Sequence, residues 1–253
     1  MNAYERLKKR FADREKIAGT GISFFSEPML IEKMKRDDLD FLVFDMEHGR
    51  FDAQDLAPHL HMCRLLEIPT IVRVQDAEYH LIAKTIDMGA DGIMLPRTET
   101  VEQLSAAVDG LCFYPVGKKG FGGLAQFRRN ESFEAFQGDR YLVPQIESPK
   151  GIENLPGMLD RFGDQISAVF IGPYDMSVMV GTPFDVHSGV MRSSIQKVVE
   201  ICQAYQKSIG IFCGNTGEAA TYLKMGINMF WVGMDLDFFI GGFNRVFDEL
   251  STI

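Results

Sequence analysis

The sequence predicts a (β/α)8 barrel of the TIM type. Two observations carry that prediction. Eight short apolar runs alternate with amphipathic stretches along a chain of 253 residues. Most of those runs are continuously apolar rather than alternating, as expected of parallel strands covered on both faces. A chain of this length has room for one such barrel, so residues 1–253 are read as one domain. The competing architecture is a doubly wound open sheet. No Gly-x-Gly-x-x-Gly follows the first run, so nothing supports a dinucleotide-binding version of it.

The expected strands are, in order, 17–23 (IAGTGIS), 40–45 (DFLVFD), 69–74 (PTIVRV), 91–95 (DGIML), 141–147 (YLVPQIE), 167–172 (SAVFIG), 208–213 (SIGIFC) and 228–233 (NMFWVG). Helical patterns separate them. In 78–88, Leu81, Ile82, Thr85 and Ile86 fall on one stripe. In 190–205, Met191, Ile195, Val198, Cys202 and Tyr205 do the same. Met-Gly pairs close two helices ahead of strands, at Gly89 and Gly226, where a left-handed residue ends a helix cheaply. The segment 113–140 is Gly-rich, polar and too long for a plain connection, which marks a lid or binding loop.

Composition excludes some functions. Hydrophobic residues make up 46% of the chain, enough for a sizeable core. The formal net charge is −9 and the isoelectric point about 5.1, and no basic run is present beyond Lys8-Lys9-Arg10, a solvated helix face. A nucleic-acid partner is not expected. No apolar run is long enough to span a bilayer, so no membrane partner is expected either. Cys63, Cys112, Cys202 and Cys213 form no Cys-x-x-Cys pair. With no secretory leader in view, they are expected to be reduced thiols of a cytoplasmic protein.

Barrel enzymes gather their chemistry where the strands end at the carboxyl side. The second strand ends in Asp45-Met46-Glu47-His48, the third in Arg73, the fourth in Pro96-Arg97 and the fifth in Gln145-Ile146-Glu147. The sixth runs into Gly172-Pro173-Tyr174-Asp175, and the last two end in Asn215 and Asp235. Core packing alone does not require polar groups at one end of nearly every strand. Glu147 and Asp175 leave neighbouring strands and can converge on one hard divalent cation such as Mg2+ or Mn2+. Against this, each could instead be a solvated acid capping the next helix.

His48 is the general-base candidate, because imidazole titrates near neutrality, set against a plain surface histidine. His59 and His61, two apart on a helix, point apart and cannot share a metal; His80 and His187 fall near helix starts. Asp45 and Glu47 share a face, and Asp45 could orient His48 or a water. Arg73 ends an otherwise apolar strand. Its fork suits a carboxylate or enolate oxygen, or else a structural ion pair with Glu47. The "GKKGFGG" stretch at 117–123 lacks the Lys-Ser/Thr ending of a phosphate loop.

The ordered set "FDMEHGRF", "IVRV", "YPVGKKGFG", "VPQIES", "GIENLPGML", "VFIGPYDMS" and "WVGMD" resembles the HpcH/HpaI aldolase family across roughly residues 15–250. These are class II, metal-dependent pyruvate aldolases, such as 2-dehydro-3-deoxyglucarate and 4-hydroxy-2-oxoheptanedioate aldolases. The resemblance implies a barrel of the phosphoenolpyruvate/pyruvate type and carbon–carbon lyase activity. The reaction implied is reversible cleavage of a 4-hydroxy-2-oxo acid to pyruvate and an aldehyde. It implies Glu147 and Asp175 as ligands of Mg2+, Mn2+ or Co2+, His48 as acid/base acting through water, and Asp45 as its support. It further implies that Arg73 steadies the pyruvate oxygens, with Gln145, Gly172 and Pro173 beside the substrate. Lys119 stands where the family often carries arginine, in a loop that would frame the aldehyde. Family members exchange C-terminal helices and form trimers or hexamers, so a homo-oligomer is expected. Two rival functions are an acyl-CoA lyase of the malyl-CoA or citryl-CoA kind and a barrel that only binds a metabolite.

Overall fold

All eight expected strands form, and they close on themselves. The computed structural model describes residues 1–253, apart from the side chain of Ala53. The chain opens with α1 (Ala3–Ala12), β1 (Ile17–Ile22), α2 (Met29–Met34), β2 (Phe41–Asp45) and α3 (Ala53–Leu65). It continues through β3 (Thr70–Arg73), α4 (Tyr79–Asp87), β4 (Gly92–Leu95), α5 (Val101–Leu111) and α6 (Phe133–Asp139). Next come β5 (Tyr141–Ile146), α7 (Pro149–Phe162), β6 (Ala168–Ile171), α8 (Pro173–Met179) and α9 (Gly189–Ala204). It ends with β7 (Ser208–Cys213), α10 (Thr216–Lys224), β8 (Met229–Met234) and α11 (Asp235–Leu250). The strands pair in chain order, all parallel, and β8 returns to β1. This is the closed (β/α)8 barrel; the open sheet is excluded.

Two apolar layers hold it together. The larger lies between the strands and the outer helices and includes Leu42, Phe44, Val72, Ile93 and Leu142. The residues alternating with these point inward, among them Phe41, Val43, Ile71, Met94, Tyr141, Val143, Phe170 and Trp231, and fill the barrel axis. Both faces of each strand are therefore dry, which explains the unbroken apolar runs. Helix α1 was not foreseen as part of the barrel. Its Leu7 and Phe11 join the inner layer, Tyr141 donates its hydroxyl to the Tyr4 carbonyl at 2.8 Å, and Ser208 donates to the Phe11 carbonyl at 2.7 Å. So α1 seals the amino end of the barrel.

Local signals set the joints. Gly89 and Gly226 both take positive φ, +112° and +97°, where α4 and α10 hand over to β4 and β8. Asn2 with Glu5 and Thr100 with Gln103 form reciprocal caps on α1 and α5. All four cysteines are free and buried. His59 is buried and His61 exposed, as their spacing requires. No helix among the described residues is long and apolar enough to cross a membrane.

The segment 113–140 is not a lid over the strand ends. It packs at the other end of the barrel. Arg128 pairs with Asp91, at the amino end of β4, at 2.8 Å, and Arg64 at the end of α3 donates to the carbonyls of Ala125 and Phe127. Phe113, Phe127 and Phe136 stack beneath it. A segment joining a helix to the following strand belongs at that end in any βα barrel. Its length and glycine content suggested function where its place in the strand order rules out the carboxyl-end rim.

Candidate active site

The carboxyl end of the barrel holds a cavity of about 220 Å3. His48, Arg73, Gln145, Gly172, Pro173 and Asp175 form its polar side and rim, and Phe170, Phe212 and Trp231 line it from within the barrel. Six of the expected site residues thus meet in one place.

Arg73 is the last residue of β3, and its guanidinium is nearly fully buried. Its Nε and Nη2 fork onto Asp45 at 2.8 and 2.7 Å, and Nη1 lies 3.4 Å from Glu47. Burial opposes its charge, but Asp45 and Glu47 outweigh that and raise its pKa. Asp45 is thereby committed. Its Oδ1 also accepts the backbone N–H groups of Glu47 and His48, at 3.0 and 3.3 Å. Asp45 thus supports His48 through the backbone of its turn, while its carboxylate is forked by Arg73 and not turned to the imidazole. A carboxylate already matched by a bidentate guanidinium has no reason to seek an imidazole.

The His48 ring is exposed, with Nε2 3.7 Å from Glu47 Oε2. That leaves it free to move at the mouth. Glu47 stands between two guanidinium groups, Arg73 at 3.4 Å and Arg97 at 3.5 Å, with the His48 ring at 3.7 Å. Burial raises its pKa against those charges.

Glu147 follows β5 directly and is buried. Its Oε1 accepts the Arg97 backbone N–H at 2.6 Å, and Gln145 Nε2 donates to its Oε2 at 2.6 Å. Burial lifts its pKa to about 7, with the nearby charges of Asp175 and Glu47 adding to the rise. Asp175, in the first turn of α8, is exposed and borders both the aromatic-floored cavity and a more open one that Glu147 lines. Gly172 makes this packing possible: a Cβ there would be driven into Glu147 Oε2 and Gln145 Nε2.

These residues suit a divalent cation. Glu147 and Asp175 each offer carboxylate oxygen, their mutual repulsion is what a dication relieves, and Gln145 Oε1 is buried beside them without a partner. Among the described residues no cluster of three or more His, Cys, Asp or Glu side chains could hold a metal. A cation here would take two protein carboxylates and complete its shell with water or substrate oxygens.

Lys119 is not at the site. Its ammonium is fully buried, 2.5 Å from Asp87 at the end of α4, with the Gly120 carbonyl at 3.1 Å. It ties the 113–140 segment to the barrel, at the end away from its own chain's cavity. Three contributors were missed or left without a role. Arg97 has φ +47°, the left-handed conformation in which its N–H meets Glu147; no residue type at that position announces it. Glu47 was read only as a partner for Arg73. Trp231 lay hidden inside an apolar run. Asp235 is a structural acid, accepting N–H groups from Ser23, Phe24 and Phe25 at the end of β1.

A closed βα barrel with a buried guanidinium, an exposed imidazole and two carboxylates gathered at the carboxyl ends of its strands has the layout of a barrel enzyme. The family is established by comparison: the model of the HpcH/HpaI aldolase/citrate lyase family matches residues 23–241, and the chain belongs to that family. It is thus an enzyme of the carbon–carbon lyase type. The 2-keto-3-deoxy-L-rhamnonate aldolase of Klebsiella pneumoniae subsp. pneumoniae is 30% identical over 78% of this chain and 74% of its own length. A hydroxypyruvate/pyruvate aldolase of Delftia acidovorans is 28% identical over 84% of this chain and 80% of its own. The crystal structure of an HpcH/HpaI aldolase from Desulfitobacterium hafniense superposes with a TM-score of 0.89, covering 98% of this chain and 97% of that one at 19% identity.

Proposed function

We propose that this protein cleaves a 4-hydroxy-2-oxo acid to pyruvate and an aldehyde, and runs the reverse addition, with a divalent cation bound at Glu147 and Asp175. One observation supports this above the rest: the buried Glu147 lines a cleft with Asp175 beside the unpartnered Gln145 Oε1, and Asp175 and Gln145 also line the cavity that holds the Arg73 guanidinium fixed by Asp45. When bound, the cation supplies Lewis-acid polarisation of the keto acid. Mg2+, Mn2+ and Co2+ all suit oxygen donors, and the choice among them is open to titration.

The chain's own groups do the rest. Arg73 lines the cavity and holds the oxo-acid carboxylate or its developing negative charge. Asp45 fixes that guanidinium in position, so no reorganisation is needed as charge builds. His48, or a water it polarises, takes the hydroxyl proton in cleavage and returns a proton to the methyl carbon of pyruvate. Gly172 leaves room for the Glu147 and Gln145 side chains, and it lines the cavity with Pro173 beside the substrate. No lysine takes part, since none lines the cavity.

The quaternary proposal follows from α11. Phe239, Phe243, Val246, Phe247 and Leu250 are all exposed along it. An apolar face of that extent calls for cover, and a homo-oligomer that exchanges this helix, a trimer or hexamer, supplies it. Light scattering on the purified protein tests that assembly.

Pyruvate release from a panel of 4-hydroxy-2-oxo acids, with and without chelator, tests the chemistry. Activity is expected to vanish with EDTA and return with Mg2+, Mn2+ or Co2+. Borohydride with pyruvate is expected to leave the protein unlabelled; a stable lysine adduct would replace this mechanism with an imine one.

A further inference from the structure

Trp231 is the only tryptophan in the chain, and it forms the floor of the cavity. Its ring meets Phe170 at 6.0 Å and Phe212 edge-on at 5.7 Å between centroids, and the Arg73 guanidinium lies 5.3 Å from its centroid. Its indole N–H donates to the Gly233 carbonyl at 3.0 Å. The one polar atom of the floor is therefore spent inside the protein. The indole also depends on Gly21 of β1, where a Cβ would come within 2.5 Å of Nε1. The bulk at Trp231 and the missing side chain at Gly21 form one fitted pair, and the indole occupies space under Arg73 that a smaller residue would leave open.

We propose that Trp231 is the specificity-determining residue for the oxo acid, restricting its C3 to an unsubstituted methyl. This rests on the aldolase reading above. With the oxo-acid carboxylate on Arg73 and its keto oxygen toward the side where Glu147 and Asp175 would hold the cation, the carbon end has the aromatic floor on one side and His48 with the open mouth on the other. A C3 substituent directed at the floor meets the indole. An added methylene there is placed against the indole, and an added hydroxyl finds no free donor on the floor, since the indole N–H is spent on Gly233. Pyruvate fits; 2-oxobutanoate and hydroxypyruvate are rejected. A single methylene is worth roughly 10–200-fold in such a pocket.

The test separates the donor half-reaction from the aldehyde. In D2O, with Mg2+ present, the enzyme removes a C3 proton and returns a deuteron from solvent, with no net change besides the C–H to C–D replacement. Mass spectrometry of the oxo acid measures it. Wild type is expected to exchange pyruvate at least tenfold faster, in kcat/KM, than 2-oxobutanoate. Trp231→Leu is expected to shift that ratio at least tenfold toward 2-oxobutanoate, and Trp231→Phe by less. Since Trp231 is the sole indole, its emission independently reports occupancy: pyruvate should change it in wild type, and 2-oxobutanoate should change it far less.

An unshifted ratio in Trp231→Leu with a native circular dichroism spectrum overturns the proposal; if that variant does not fold, Trp231→Phe is judged the same way. A wild type that handles 2-oxobutanoate as well as pyruvate also overturns it. A wild type that exchanges no oxo acid and shows no emission change with any overturns the aldolase reading itself.

Discussion

Glu147 offers the sharpest test, because its environment predicts two effects of opposite sense. Its carboxyl is 4% exposed, and its pKa is lifted from 4.5 to about 7, first by burial and then by Asp175 and Glu47. A shift of that size is equivalent to about 3 kcal/mol. The folded state then holds a proton that the unfolded chain has released between pH 4.5 and 7. Without metal, this group's contribution to stability declines as pH rises through that window and is lowest above pH 7. Glu147→Gln is neutral at every pH, nearly the same shape, and the Gln145 amide can rotate to offer its spare oxygen to the introduced amide. The chelated variant should therefore exceed chelated wild type by about 3 kcal/mol at pH 8 and match it near pH 4.5, measured by urea unfolding. Cation binding reverses the order. It needs the carboxylate, so the apparent affinity of wild type for Mg2+ should fall about tenfold per pH unit below 7 and level off above 8. Calorimetry should register proton release near neutrality. Equal stability of variant and wild type at pH 8, or Mg2+ affinity indifferent to pH between 5.5 and 8, would refute the account of this carboxylate.

Other outcomes follow from neighbouring residues. His48→Ala should lower turnover by roughly a hundredfold, the scale of a lost acid/base, while cation affinity by calorimetry stays within a few-fold; unchanged turnover removes His48 from the mechanism. Asp45→Ala leaves the Arg73 guanidinium buried without its fork, and should cost about 3–5 kcal/mol in chemical unfolding. Gly172→Ala should abolish activity and weaken cation binding together, because the new methyl displaces Glu147; retained activity would mean that the carboxylate is not needed where it sits. Lys119→Met should lower the unfolding temperature but leave KM for the oxo acid unchanged, and a raised KM would return the 113–140 segment to the site.

Much of this was legible in the sequence. Continuous apolar runs gave all eight strands within a residue or two, because a strand dry on both faces shows no alternation to blur its limits. The polar residues ending those runs pointed to His48, Arg73 and Asp175, since topology brings the strand ends to one rim, and the family resemblance added Gln145, Gly172 and Pro173. What stayed hidden depends on partners distant in sequence. Asp45 could be placed at the site but not on Arg73, because two acids on one strand face compete for the same guanidinium. Lys119 was misread because sequence does not tell which end of a barrel a loop serves until strand order is fixed. Arg97 acts through its backbone, and residue identity carries no trace of that. Trp231 reads as one more apolar strand residue until the barrel closes and Gly21 appears opposite.

Helix α1 gives the cavity its last property. With Leu7 and Phe11 corking the far end of the barrel axis, the well has a single door. Whatever lies against the aromatic bottom must wait for whatever lies nearer the opening to depart. On the proposed aldolase chemistry the aldehyde should leave ahead of the keto acid, and competitive inhibition by added pyruvate measures that order.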